Sequence, residues 1–169
     1  MNYFELFSLP VTFSVDQVRL SETYRTLQKQ YHPDKFAMYS ESERLGAMQK
    51  SSEINDAYQT LKNSCLRAQY QLLLVGLDID LEQKTLRDTD FLMQQMEWRE
   101  TLASFTEADE DKITLFAEMI KKQVNELESL IASQLQANEF EATANSIRKL
   151  KFMLKLQIEL ALREEKLFD

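Results

Sequence analysis

Two glycines and two prolines are all that punctuate this chain of 169 residues. Sandwiches and barrels turn every few residues and lean on such breakers, so an all-β fold is not expected. The abundant Leu, Gln, Glu, Lys and Met favour helices, which predicts long ones. The longest apolar run, Leu72 to Val75, is far too short to span a bilayer. The opening MNYFELF lacks the basic start and apolar stretch of a signal peptide. A soluble, cytoplasmic protein is expected.

The residues that support most enzymatic chemistry are scarce. One cysteine (Cys65) and one histidine (His32) cannot build a structural zinc site or hold an iron–sulfur cluster within one chain. Gly46 and Gly76 lie too far apart for a phosphate loop or a dinucleotide fingerprint. No serine sits on a recognisable strand-to-helix elbow that would use His32 as base. Acidic pairs are plentiful, yet no frame marks two as a hydrolytic couple. An enzyme becomes the minority reading, with two-carboxylate hydrolysis left open, and no cofactor or metal of the chain's own is expected.

Charge divides the chain. Residues 1–75 carry eight Lys/Arg against eight Asp/Glu, while residues 76–169 carry twelve against twenty, so the whole net charge of −8 lies in the second part. An acidic half argues against nucleic acid and against anionic membrane, both of which want a basic footprint. The shift falls at Gly76, a good helix stop. The expected organisation is a first domain over 1–75, a linker over 76–87 and a second domain over 88–169.

In the first part, Ser14 with Gln17 three residues on reads as a capping box. Leu20, Tyr24, Leu27 and Tyr31 then follow one helical face, with Arg25 and Lys29 roughly opposite. Pro33 ends this helix by His32. A second amphipathic helix runs from about Ser42 to Leu61, with Ala47, Ile54, Ala57, Tyr58 and Leu61 inward. A third runs from Cys65 to about Val75, with Leu66, Tyr70 and Leu73 on its apolar face. Two long helices joined through a proline loop should pair antiparallel. That places His32, Pro33 and Asp34 at an exposed hairpin tip beside Lys35.

Taken alone, His-Pro-Asp is a stiffened turn in which Asp accepts backbone N–H bonds. Its surroundings say more. YHPDKF, preceded by a helix bearing Arg25 and Lys29 and followed by INDAYQTL and LRAQY, resembles the J domain of DnaJ-type co-chaperones over residues 1 to about 75. The resemblance implies that His32, Pro33 and Asp34, with Arg25 and Lys29, dock on a DnaK-type ATPase and stimulate ATP hydrolysis. Asp34 would pair with a partner arginine, while His32 and Pro33 fix the loop. An exposed carboxylate next to a cationic helix suits such steering.

The second part reads as an antiparallel three-helix bundle with starts at Asp88, Thr106 and Asn138, the last with Glu141 three residues on. Ile113, Phe116, Ile120, Val124, Leu127, Ile131 and Leu135 form the seam of the middle helix. Ile147, Leu150, Leu154, Ala161 and Phe168 mark the last one. On the first helix, with Phe91 at zero and about 100° per residue, Phe91, Trp98, Leu102 and Phe105 cluster on the core side. Leu92, Met93 and Met96 fall at roughly 100°, 200° and 140°, with Glu97 and Glu100 among them. A second apolar patch therefore faces solvent, a common mark of partner sites. On the last helix Phe152 stands apart from the Leu150/Leu154 face, beside Arg148, Lys151 and Lys155. The bland alternatives are packing of the first domain on these patches, or self-association.

A leading J domain, no zinc region, an acidic bundle, and the stretches RDTDFLMQQMEWRE and IRKLKFMLKL resemble the bacterial HscB family of iron–sulfur co-chaperones over essentially the whole chain. The resemblance implies that Leu92, Met93, Met96, Glu97, Glu100 and Phe152 contact the scaffold protein IscU. It also implies that the DnaK-type chaperone is HscA. Met96 stands where a leucine is usual, and Ser104 where another carboxylate often occurs. Two other readings are a generic J-domain co-chaperone with a different client-binding bundle, and a hydrolase using bundle carboxylates.

Overall fold

In a computed structural model, residues 1–81 and 88–169 are described, and their regular structure is entirely helical. They divide into two units, Met1–Leu77 and Asp78–Asp169. Most of the expected linker, residues 82–87, lies outside the described residues.

The first unit contains α1 (Tyr3–Leu6), α2 (Gln17–Tyr31), a 3-10 turn (Pro33–Phe36), α3 (Glu41–Lys62) and α4 (Ser64–Leu74). Asp16, not Ser14, caps α2: its carboxylate accepts the N–H groups of Val18 and Arg19, each at 3.1 Å. Asp16 immediately precedes the first helical residue, whereas Ser14 lies two residues further out, beyond reach of the free N–H groups. Ser40 and Asn63 cap α3 and α4 in the same way. The hairpin of α2 and α3 is antiparallel: Gln28 Oε1 accepts from Ser51 Oγ at 3.0 Å, and Tyr24 Oη donates to Asn55 Oδ1 at 3.1 Å. The Tyr24 and Tyr58 rings stack 4.0 Å apart. Leu20, Ile54, Ala57 and Leu61 meet Phe4, Phe7 and Leu9 in one core, with Tyr24, Leu27 and Tyr31 at its margin.

Helix α4 turns a different face inward from the expected one. Cys65, Ala68 and Leu72 are buried, Tyr70 is half-buried, and Leu66 and Leu73 are exposed. Small residues at i and i+3 let the helix approach closely, and Arg67 fixes its rotation. That arginine is 6% exposed and donates to the carbonyls of Phe13 (2.6 Å) and Leu61 (2.7 Å). Gly76 closes α4 at φ +87, with the N–H groups of Gly76 and Leu77 returning to Leu73 and Leu72.

The second unit contains α5 (Thr89–Ser104), a 3-10 turn (Glu107–Asp109), α6 (Glu110–Gln136) and α7 (Phe140–Phe168). Asp88 caps α5 through Phe91 N–H, and Thr106 forms a capping box with Asp109 ahead of α6. Asn138 does not start a helix. It closes α6 at φ 57, with Asn138 and Glu139 N–H returning to Leu135 and Gln134, so α7 begins at Phe140. Asparagine serves either end of a helix, and the left-handed conformation decides for the closing role.

Helices α6 and α7 are antiparallel and joined by the Ser146–Gln134 side-chain bond of 2.8 Å. Helix α5 runs parallel to α7, since Asp88 meets Lys149, Arg99 meets Glu159 and Phe105 meets Arg163. The result is an up-down-up bundle whose core holds Ile113, Phe116, Ile120, Ile131, Ile147, Leu150, Met153, Leu156 and Leu160. Leu154 is only half-buried, and Ala161 and Phe168 are exposed, against expectation. Helix α5 contacts α7 along its Lys149–Phe152–Glu159–Arg163 edge, which rotates the buried arc toward Met153, Leu156 and Leu160.

Candidate functional site

Two surfaces carry the expected functional residues, one on each unit. On the first, α2 stops at Tyr31 because the residue before a proline avoids α geometry. His32 accordingly has φ −60 and ψ 134. Pro33 then opens the 3-10 turn, where its fixed φ fits and its missing N–H costs nothing. The Asp34 N–H donates to His32 Nδ1 at 3.2 Å, and the Lys35 N–H donates to the His32 carbonyl at 3.0 Å. Asp34 Oδ2 also approaches His32 Nδ1, at 3.6 Å.

The histidine therefore caps the turn, a role the plain-turn reading gives to the aspartate. Asp34 is left with its side chain 93% exposed and, among the described residues, no backbone N–H on its carboxylate. Arg25 and Lys29 are exposed on α2 and make no ion pair among the described residues. Lys29 shares a shallow groove with Gln28, His32 and Lys35. This surface thus presents a solvent-exposed carboxylate at the end of a cationic strip.

On the second unit, α5 is held on one side and bare on the other. Phe91 meets Trp98 edge to face, with centroids 5.8 Å apart. Phe91 and Phe105 are buried, and Trp98 and Leu102 half-buried. Opposite them Leu92, Met93 and Met96 are 42%, 58% and 65% exposed. Glu97 and Glu100 are exposed on the same side. Phe152 does not stand alone: it meets Phe91 edge to face at 5.8 Å and stacks on Trp98 at 6.2 Å. The Arg99 guanidinium lies 5.1 Å over its ring. The helical wheel of α7 had no knowledge of α5, whose arrival half-buries Phe152. On the α5 wheel Arg99 falls at roughly 80° and Leu92 at roughly 100°, so Phe152 borders the Leu92 edge of the outer patch. Arg148 and Lys151 beside it are half-buried and Lys155 is exposed.

Asp88 has its carboxyl held below the usual range, first by the hydrogen bond from Lys149 and then by that from Phe91 N–H. Sequence reasoning missed Lys149 and Arg99 as the ties of α5, and Gln28 as part of the groove beside His32. Their partners lie on other helices, so no local pattern announces them. Among the described residues, no group of three or more His, Cys, Asp or Glu is arranged to hold a metal ion. No helix among them is long and apolar enough to cross a membrane.

Comparison with known proteins matches both units. Residues 2–71 match the family described as the DnaJ domain, and residues 87–161 match the HSCB C-terminal oligomerisation domain. The co-chaperone protein HscB homolog of Psychromonas ingrahamii is 75% identical over 169 residues, covering all of both chains. The solved chaperone HscB from Vibrio cholerae superposes with a TM-score of 0.90 at 42% identity, covering 99% of this chain and 100% of that one. Human co-chaperone protein HscB gives 0.89 at 27% identity, covering 99% of this chain and 84% of its own. With the J-domain hairpin, the acidic three-helix bundle and these similarities in hand, the chain belongs to the HscB family of J-domain co-chaperones.

Proposed function

We propose that this co-chaperone binds the iron–sulfur scaffold protein IscU through Leu92, Met93, Met96, Glu97, Glu100 and Phe152, and brings it to the DnaK-type chaperone HscA. Docking uses His32, Pro33, Asp34, Arg25 and Lys29 and stimulates ATP hydrolysis by HscA, which promotes transfer of the cluster from the scaffold to apo-proteins. The chain acts in the cytoplasm as an activator of its partner's ATPase, with no catalytic group or cofactor of its own. Residues 1–75 serve the chaperone, 88–169 serve the scaffold, and 76–87 link them.

The observation that carries this reading is the two-sided character of α5. Its inner aromatics anchor it to the bundle, yet Leu92, Met93 and Met96 stay in solvent beside two carboxylates. An exposed apolar patch rimmed by charge suits a protein partner. The exposed Asp34 carboxylate, and Arg25 and Lys29 with no ion pair among the described residues, support docking on the other unit. The test is the steady-state ATPase of HscA with this protein, with and without IscU. Stimulation that rises synergistically with IscU is expected. Stimulation indifferent to IscU would assign the bundle to another client, as in a generic J-domain co-chaperone.

A further inference from the structure

Sulfur dominates the outer face of α5. Met93 and Met96, one turn apart, are 58% and 65% exposed at the middle of the patch. The chain's one thiol, Cys65, is 4% exposed and in no disulfide, and Met153 is fully buried in the bundle core. A peroxide arriving from solvent therefore meets the α5 thioethers before it meets Cys65 or Met153. Susceptibility of methionine to oxidation follows such access, and the sulfoxide converts an adaptable apolar side chain into a polar one.

We infer that Met93 and Met96 form an oxidation switch on the scaffold-binding face, sulfoxidation by a peroxide releasing the scaffold and reductive repair restoring its binding. The inference rests on the reading of α5 as that face. In the forward step the thioether sulfur attacks one peroxide oxygen. The O–O bond breaks, sulfur gains that oxygen as the sulfoxide, and the other oxygen leaves as water with both protons. In the reverse step a dithiol reductant takes the oxygen off as water and becomes a disulfide.

The local chemistry makes the change consequential. Glu97 follows Met93 by one turn and Glu100 follows Met96, so each sulfur neighbours a carboxylate, which accepts hydrogen bonds and donates none. Leu92, the third apolar member, offers no donor either. The donors one turn away are the Thr89 hydroxyl before Met93 and the Arg99 guanidinium after Met96, the latter already held by Glu159 at 2.8 Å and by the Phe152 ring. A sulfoxide oxygen covered by a partner must compete for these, and a buried acceptor left without a donor is costly.

The experiment uses the full chain, dilute hydrogen peroxide, peptide mass spectrometry for the sulfoxide at each methionine, and calorimetric IscU binding before and after treatment. Met93 and Met96 should oxidise well ahead of Met153, with IscU affinity falling by about tenfold or more. Methionine sulfoxide reductase should restore it. Met93→Leu/Met96→Leu, whatever its starting affinity, should show the same affinity before and after peroxide. Met38→Leu/Met48→Leu, which replaces two of the three exposed methionines of the J domain and leaves Met1, should stay sensitive. Sulfoxides at Met93 and Met96 with undiminished binding, or equal loss in Met93→Leu/Met96→Leu, would overturn the switch alone. No binding by the untreated protein would overturn the scaffold reading and the switch with it.

Discussion

Lys149 Nζ lies 2.7 Å from Asp88 Oδ2, so the residue that caps the start of α5 also ties that helix to α7. The same ammonium sits 5.4 Å from the centre of the Phe91 ring. Further along α7, Phe152 takes over against Phe91 and Trp98, then Glu159 against Arg99 at 2.8 Å, then Arg163 against the Phe105 carbonyl at 2.9 Å. Contacts at successive turns fix the rotation of α5 about its own axis. A slip of one residue would swing the helix by about 100° and carry Leu92 inward. The ties on the inner side therefore determine what the outer side offers.

The charge at Asp88 should register in thermal stability as a function of pH. Its carboxyl titrates below 3.8 in the fold because Lys149 and the Phe91 N–H favour the ionised form. The unfolded chain thus takes up the proton first, and the stabilisation is complete well above pH 3.8 and lost as pH falls through the lower, folded value. Asp88→Asn keeps a capping side chain and removes only the charge. Its Tm should lie below wild type at pH 7, and the gap should close on acidification below about pH 3.8. It should also narrow in 1 M salt, since both groups are partly solvated. A gap that does not narrow at all as pH falls below 3.8 would contradict the assignment.

The outer residues and Phe152 should separate cleanly in paired measurements. Leu92→Ala, Met93→Ala and Met96→Ala should each weaken IscU binding by about 1–3 kcal/mol. Stability to urea should stay within about 0.5 kcal/mol, as for exposed positions generally. Phe152→Ala should weaken binding and also destabilise the fold by about 2 kcal/mol, less than a fully buried phenylalanine would. Unchanged stability in Phe152→Ala would mean that its ring contacts with Trp98 and Phe91 contribute nothing.

What was legible in the sequence follows the range of the forces involved. The two faces of α5 could be read because a 16-residue helix keeps its phase, and Phe91, Trp98, Leu102 and Phe105 mark one side. The hairpin tip could be read because Pro33 acts on its immediate neighbour. Phe152 could not, because its burial comes from a helix some fifty residues earlier in the chain. The buried face of α4 could not be read, because Cys65 and Ala68 are buried for being small and Arg67 for its two carbonyl acceptors, while the larger Leu66 and Leu73 face solvent. His32 and Asp34 exchanged capping roles because either side chain can accept an N–H, and only the geometry of the turn chooses between them.

Arg67 should be among the most sensitive positions of the J domain. Replacement by Met, of similar length, removes the donors to the Phe13 and Leu61 carbonyls and the guanidinium 4.8 Å from the Phe13 ring. Each buried carbonyl left without a donor costs about 1–3 kcal/mol, so Arg67→Met should lose about 2–4 kcal/mol. Arg67→Lys should recover only part of this, because one ammonium does not reproduce the fork of the guanidinium. Urea unfolding followed by circular dichroism gives the value as a midpoint shift at constant slope. A loss below about 1 kcal/mol would show that the two bonds are replaced by water.

Among the described residues, three helices end on a residue in the left-handed conformation, and one of the three is glycine. Ser8 has φ 54 and Asn138 φ 57, against φ 87 for Gly76. In each case two N–H groups fold back on the last turn, as Ser8 and Leu9 do on Glu5 and Phe4. A β-carbon in that region costs about 1–2 kcal/mol, partly relieved in asparagine by local hydrogen bonding. Glycine is free of that cost but loses more entropy on folding. Ser8→Gly should therefore stabilise the J domain by about 0.5–1 kcal/mol, and Asn138→Gly should stabilise the bundle by less. Gly76→Ala should do the opposite by about 1 kcal/mol, and purely through the backbone, since an added β-carbon there meets no atom within 4 Å. Scanning calorimetry of the three variants orders them directly, and a Ser8→Gly protein that melts below wild type would refute the conformational account.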